Sequence, residues 1–361
     1  MQLNLLTTDI KMYRFAHLYF DIPADEFLKE FDFGDSCSVS FNGFAFDDVP
    51  VFGSYEDMMP GETAIYLTSG DPDISICINY GKIGVETGIL KTASSDSGHP
   101  YELREDVQLP ITASFELKEK GKYKNRIALS KLRMGHSKGE YSGVISDEKF
   151  ANFRAINTTG LKHNILYRSA SPIDPKSGRN LVADRLMQSA GIRTVIDLSD
   201  SRDKAESYEG YKDTYYSKQD VSFIPMPVAY KEKEFETALA ESLRFILNNE
   251  GPYLVHCYIG KDRTGFVAAL LELLTGADID EMQNEFLQTY RSLYSPLKDK
   301  GEQLDEEIIE LIKHEICKIL MFTLDLESEE QLAETENIEK YLKKTGLSDK
   351  EIYQLKAKLA V

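Results

Sequence analysis

One eleven-residue stretch concentrates the side chains best suited to chemistry: Val255-His256-Cys257-Tyr258-Ile259-Gly260-Lys261-Asp262-Arg263-Thr264-Gly265. A cysteine is followed at a fixed offset by an arginine, then by Thr-Gly. A short loop that closes onto a helix N-terminus aims backbone N–H groups inward and forms a nest for a tetrahedral oxyanion. Arg263, at the helix start, can offer two parallel donors to two phosphate oxygens. Amides, helix dipole and guanidinium together favour the thiolate of Cys257, since comparable surroundings lower a cysteine pKa to roughly 3.5–7.5. A thiolate so held is a nucleophile toward phosphorus. Tyr258, Ile259, Gly260 and Lys261 supply the cradle, with Gly260 permitting the tight path. Thr264 brings a hydroxyl near the sulfur, able to help the thiolate leave. His256 is expected to fix loop geometry through the backbone. Lys261 reads either as a second cation for a substrate with several anionic groups or as a solvated lysine.

Those residues need a strand to end and a helix to begin at the loop. Pro252 to His256 (PYLVH) and Arg193 to Leu198 (RTVIDL) are compact apolar runs that suit buried parallel strands. Helical patterns surround them at Leu181 to Ala190, Glu234 to Leu247, Thr264 to Leu274, Asp280 to Tyr290 and Leu304 to Phe322. Two more, Ile338 to Lys344 and Ser348 to Leu359, flank Thr345-Gly346-Leu347. Strand–helix alternation predicts an α/β domain with a central sheet. The first part of the chain reads differently. Ser38 to Phe41 and Phe44 to Phe46 flank Asn42-Gly43, a tight-hairpin signal. Thr63 to Thr68, Ile74 to Tyr80 and Leu109 to Leu117 are further strands, with one short helix at Ala24 to Phe31. Such spacing predicts a small barrel or sandwich. The polar stretch Lys131 to Gly143 serves as a linker, so the domains expected are 1–143, mainly β, and 144–361, α/β.

Length and composition narrow the field. The 361 residues suit about two domains. With 42 basic and 60 acidic residues the formal net charge is -18, which argues against a general nucleic-acid binder. A small anionic substrate remains compatible, because a local cationic pocket can coexist with an acidic surface. Cys37, Cys77, Cys257 and Cys317 form neither a disulfide framework nor a CxxC pair, which suits a reducing compartment. Cys37, Cys77 and Cys317 are expected in the core. His17, His99, His136, His163 and His314 show no metal-ligand spacing. The N-terminus lacks a signal-peptide pattern and no apolar run reaches a membrane span, so a cytoplasmic location is expected.

HCxxGKDRTG resembles the active-site loop of the cysteine-dependent protein tyrosine phosphatase superfamily, and within it the atypical bacterial branch with tyrosine, dual-specificity and phosphoinositide phosphatase members. The resemblance runs over about residues 144–361 and includes Asn152-Phe153-Arg154, Leu166-Tyr167-Arg168-Ser169, Thr194 to Leu198 and Glu339-Lys340-Tyr341-Leu342. It implies two-step hydrolysis of a phosphorylated protein or a phosphoinositide through a phosphocysteine, with neither metal nor organic cofactor. An inositol polyphosphate phosphatase and a weakly catalytic phospho-ligand-binding module are the alternatives. Many relatives carry an acid on the loop corresponding to Phe223 to Tyr230, where this chain has no aspartate. The resemblance implies Asp262 as general acid and then base. A carboxylate orienting Arg263 or capping the helix is the other reading, and Asp197, Glu232 and Glu234 are substitutes for the acid. Arg168 is expected to pair with an acidic partner in the core. Ser199 stands where relatives often show arginine, with Arg202 nearby. In the N-terminal part, Pro50-Val51-Phe52, Tyr55-Glu56-Asp57 and Pro60-Gly61-Glu62 faintly resemble the β-barrel domain of SAM hydroxide adenosyltransferases over about residues 35–85, and no activity is carried over.

Overall fold

Alternation of apolar and polar residues lays down strands early in the chain, and 3.6-residue periodicity lays down helices later. The computed structural model describes residues 2–7, 15–93, 100–130, 145–293 and 304–361. Two units result, Met1–Leu132 and Arg133–Val361. The linker expected over 131–143, together with His99 and His136, lies outside the described residues.

The first unit contains β1 (Gln2–Thr7), β2 (Leu18–Phe20), α1 (Ala24–Phe27), β3 (Ser36–Phe41), β4 (Phe44–Phe52), β5 (Thr63–Tyr66), β6 (Ile74–Ile78), α2 (Ile83–Glu86), β7 (Leu90–Thr92), β8 (Tyr101–Leu103), β9 (Ile111–Glu119) and α3 (Lys124–Ser130). Seven strands form one sheet in the order β1-β9-β3-β4-β5-β6-β2, and β7 pairs with β8 apart from it. Asn42 and Gly43 take φ of 47° and 83°, which closes the β3–β4 hairpin with Phe41 opposite Phe44. The sheet's two ends meet: Asp21 N donates to Leu6 O at 3.1 Å, and Thr7 Oγ1 donates to Tyr19 O at 2.6 Å. Of the two architectures expected, the arrangement formed is the more barrel-like, since the two end strands are brought side by side. Its core is aromatic and aliphatic, with Phe20, Phe27, Phe31 and Phe115 fully buried. The helix expected over Ala24 to Phe31 ends at Phe27, because the next bonds tighten to the i+3 type, Lys29 N to Glu26 O and Glu30 N to Phe27 O. Phe31 still stacks on Phe27, at 4.4 Å between centroids.

The second unit runs α4 (Asp147–Phe150), β10 (Arg154–Ala155), β11 (Leu166–Ser169), α5 (Asn180–Ser189), β12 (Thr194–Asp197), α6 (Arg202–Glu206), β13 (Asp220–Phe223), α7 (Lys233–Asn248), β14 (Tyr253–His256), α8 (Asp262–Thr275), α9 (Ile279–Leu293), α10 (Glu306–Leu324), α11 (Thr335–Thr345) and α12 (Asp349–Leu359). Its sheet has the order β10-β11-β14-β12-β13, parallel except for the short β10. The chain lays down β11, β12 and β13 and then inserts β14 between the first two. A crevice forms outside the carboxyl ends of the strands at such a reversal of order. Every residue of β14 is buried, which explains its unbroken apolar text. Helix α8 is buried from Thr264 to Leu274 on all sides, so it lacks a polar stripe. The loop between β14 and α8 therefore joins two deeply buried elements.

Candidate active site

Residues 257–261 connect β14 to α8. Cys257 begins the loop and is 2% exposed. Gly260 takes φ +74°, and a Cβ there would lie 2.2 Å from Ser169 O at the end of β11. The loop thus lies directly against the neighbouring strand, and only glycine fits. Ser171 N donates to Tyr258 O at 3.1 Å. Asn152, itself at φ 50°, donates through Nδ2 to Ile259 O and Gly260 O, both at 3.1 Å. Arg168, wholly buried, donates through Nη2 to Gly260 O at 2.7 Å. Several partners thus hold the loop's carbonyls from outside.

Arg263 occupies the first turn of α8, and its Nη1 donates to Leu198 O at 2.8 Å and Met226 O at 3.3 Å. Both carbonyls follow strands adjacent to the crevice, so the guanidinium turns back toward the end of the sheet from which Cys257 emerges. Thr264 is buried, and its Oγ1 has no hydrogen-bond partner. A buried hydroxyl left unpaired carries a desolvation cost, and a ligand or an ionised sulfur beside it would relieve that cost. Asp262 caps no backbone group through its side chain, and its carboxylate is 45% exposed.

Lys261 is not a freely solvated lysine. Its ammonium lies 3.5 Å from Asp262 Oδ1, 3.9 Å from Glu315 Oε1 and 4.8 Å from the centroid of Tyr290. Tyr290 donates to Glu315 Oε2 at 2.5 Å, and burial followed by the Glu315 charge pushes its phenol well above the usual range. Helices α9 and α10 thereby supply an acidic and aromatic seat for this cation.

His256 Nδ1 lies 3.2 Å from Cys257 O, and its Nε2 lies 3.3 Å from the Tyr216 hydroxyl. A carbonyl only accepts, so Nδ1 is the donor at that contact. Tyr216 donates to Asp197 Oδ2 at 2.9 Å, and burial, then the Asp197 charge, raises its phenol far above its ordinary value. The other Asp197 oxygen accepts from Ser199 N and Ser199 Oγ, both at 2.8 Å, and from Asp200 N at 3.1 Å. Both oxygens of this fully buried carboxylate are engaged, which leaves it poorly suited to deliver a proton. Ser199 shapes this turn through its backbone N–H and its hydroxyl. Glu232 and Glu234 are exposed at the start of α7. Replacing Tyr216 by phenylalanine leaves a buried Asp197 oxygen unpaired and is expected to cost about 1–3 kcal/mol. Urea unfolding measures it, and an unchanged midpoint would remove Tyr216 from the support of the loop.

The sequence reading did not single out three of the residues that shape the loop. Glu285 was not noticed at all, although it interrupts the buried stripe of α9 between Met282 and Phe286, a charge where the register calls for an apolar residue. Asn152 carries no local signal, since its positive φ is set by the fold. Tyr216 gave no signal, since it lies in an irregular segment. Among the described residues no group of three or more His, Cys, Asp or Glu side chains is arranged to hold a metal ion, and no helix is long and apolar enough to cross a membrane.

Several solved structures resemble this chain, among them the following three. The core catalytic domain of the S. cerevisiae PP-IP phosphatase Siw14, in complex with citrate, is 19% identical with a TM-score of 0.29, over 47% of this chain and 90% of that one. A second structure of the Siw14 catalytic core gives 14% identity and a TM-score of 0.28, over 52% and 97%. An uncharacterized conserved protein of Thermotoga maritima gives 18% and 0.23, over 31% of this chain and only 35% of its own length. Similarity at that level says nothing of substrate. The sequence profile of the tyrosine phosphatase family, by contrast, matches residues 148–361, more than half of the chain and the whole span from α4 to α12, so the protein belongs to the tyrosine phosphatase family.

Proposed function

We propose that residues 144–361 are a catalytic domain that hydrolyses phosphomonoesters at Cys257, with phosphotyrosine or phosphoserine/threonine in proteins as the substrate class. The observation that supports it most directly is the buried Cys257 at the head of a loop whose carbonyls are held outward, facing the first turn of α8. Cys257 Sγ attacks phosphorus and the bond from phosphorus to the leaving oxygen breaks. Asp262 gives its proton to that oxygen. Water then attacks the phosphocysteine, Asp262 takes the proton, and the S–P bond breaks to release thiolate and inorganic phosphate. Arg263, Thr264 and the amides of residues 258–261 hold the charge that develops on the equatorial oxygens. The seating of Lys261 against Glu315 and the Tyr290 ring supports a substrate with one phosphate, since its charge already has an acidic and aromatic partner there.

Full-length protein assayed against phosphopeptides, phosphoinositides and a generic aryl phosphate tests this reading. Phosphopeptide turnover well above that of a Cys257→Ser control supports it, and preference for multiply phosphorylated inositides would reverse the substrate assignment. No turnover of any substrate above that control would leave a binding module. The acid has a separate test. Asp262→Asn slows alkyl phosphates, whose leaving groups need a proton, by about 100-fold or more, and slows p-nitrophenyl phosphate far less. Equal slowing of both would make Asp262 a structural residue.

A further inference from the structure

Glu285 projects from the buried face of α9, with its side chain 9% exposed. One oxygen accepts from Arg168 Nη1 at 2.6 Å, and the other accepts from Arg154 Nε at 2.7 Å. Burial alone would raise this carboxyl, but the charges of Arg154 and Arg168 outweigh it and hold it below the ordinary glutamate value. Each arginine passes the constraint onward. Arg168 Nη2 donates to Gly260 O at 2.7 Å and to Lys261 O at 3.4 Å. Arg154 Nη1 donates to Asn152 Oδ1 at 2.5 Å, which fixes the amide so that its Nδ2 faces Ile259 O and Gly260 O. One carboxylate thus governs donors to three successive carbonyls of the loop.

In a trans peptide the C=O and the following N–H point in opposite directions. Carbonyls of residues 259, 260 and 261 drawn toward this cluster turn the N–H groups of 260, 261 and 262 the other way. Stability alone does not account for such a group. Buried Arg–Glu–Arg triads are weak stabilisers, often replaceable by apolar residues without loss. Glu272, 1% exposed, has its carboxyl pushed up by burial and then by Glu285, and burial lowers Arg154 to about 10.

We propose that Glu285 is the positioning residue of the phosphate-binding loop, acting through Arg168 and through Arg154–Asn152 to turn the loop amides toward the substrate phosphate. This rests on the reading above, that residues 257–263 hold that phosphate.

The test uses the full chain, with p-nitrophenyl phosphate for turnover and orthovanadate for oxyanion affinity. Glu285→Gln keeps shape but loses the charge and one acceptor. Asn152→Gly removes the two bonds to the loop while glycine tolerates φ 50°. Both lower kcat/KM by about 100-fold, the cost of misplacing reacting groups by about an ångström, and both weaken vanadate inhibition about tenfold or more. Glu272→Gln, which mimics a neutral carboxyl, stays within about threefold. Circular dichroism and urea midpoints report folding. If Glu285→Gln does not fold, Asn152→Gly decides. A folded variant of either kind that binds vanadate within about twofold of wild type overturns the relay. A wild-type chain that neither turns over nor binds vanadate overturns the phosphate site itself and the relay with it, so the two failures are distinguishable.

Discussion

Cys257→Ser lowers turnover of an aryl phosphate by at least about three orders of magnitude, because a serine hydroxyl in the same cradle is far less acidic and far less nucleophilic than a thiol. Binding of inorganic phosphate, measured by calorimetry, persists, since Arg263 and the loop amides remain. A variant that kept a tenth of wild-type turnover would exclude Cys257 as the nucleophile. The other thiols offer a clean contrast. Burial pushes Cys37, Cys77 and Cys317 each up to about 12, so they stay protonated at neutral pH. Iodoacetate at pH 7 then reports on Cys257, and its inactivation of the enzyme slows when phosphate occupies the loop. Alkylation of the other three at the same rate would contradict this. Oxidation by peroxide follows the same selectivity.

Gly260→Ala lowers activity through a different cause, backbone against backbone. The added Cβ would meet Ser169 O at 2.2 Å, Ser169 C at 2.5 Å and Ala170 N at 3.0 Å, with φ at +74°. None of those atoms belongs to a flexible side chain, and Ser169 ends a strand paired with the central β14. The loop must move instead, and with it the amides of 260–262. Activity falls by about 100-fold, and strain destabilises the fold by about 1–3 kcal/mol. Gly276→Ala is the control: its φ is +105°, but nothing lies within 4 Å of the new Cβ. Gly276→Ala costs only the positive-φ strain and leaves turnover unchanged. Equal activity losses in the two variants would show that the clash at Ser169 does not matter.

Much of the fold was legible because local pattern and tertiary environment agree. PYLVH and RTVIDL became β14 and β12, buried along their whole length and mostly apolar, with His256 and Asp197 as buried polar ends. The hairpin at Asn42-Gly43 follows from two residues tolerant of positive φ. The short strands β1, β2, β7, β8, β10, β11 and β13 escaped notice, since two to six residues of mixed character carry little periodic signal. Their pairing partners elsewhere in the chain make them strands.

The candidate site divides in the same way. The proposed nucleophile, the proposed phosphate-binding arginine and the glycine lie within one loop, so spacing alone was enough to nominate them. Removal of Asp197 from the list of acids came from three dimensions, because only there do Tyr216, Ser199 and Asp200 take both of its oxygens. Lys261 gained its seat from α9 and α10, and Glu285 its hold on the loop from residues 152, 154 and 168 on other elements. The sequence by itself determined which chemistry can be proposed and at which loop, because covalent neighbours keep their order in any fold. The tertiary structure decided which charges are free, which are spent and what holds the loop open, because a buried charge takes its partners from space and not from sequence.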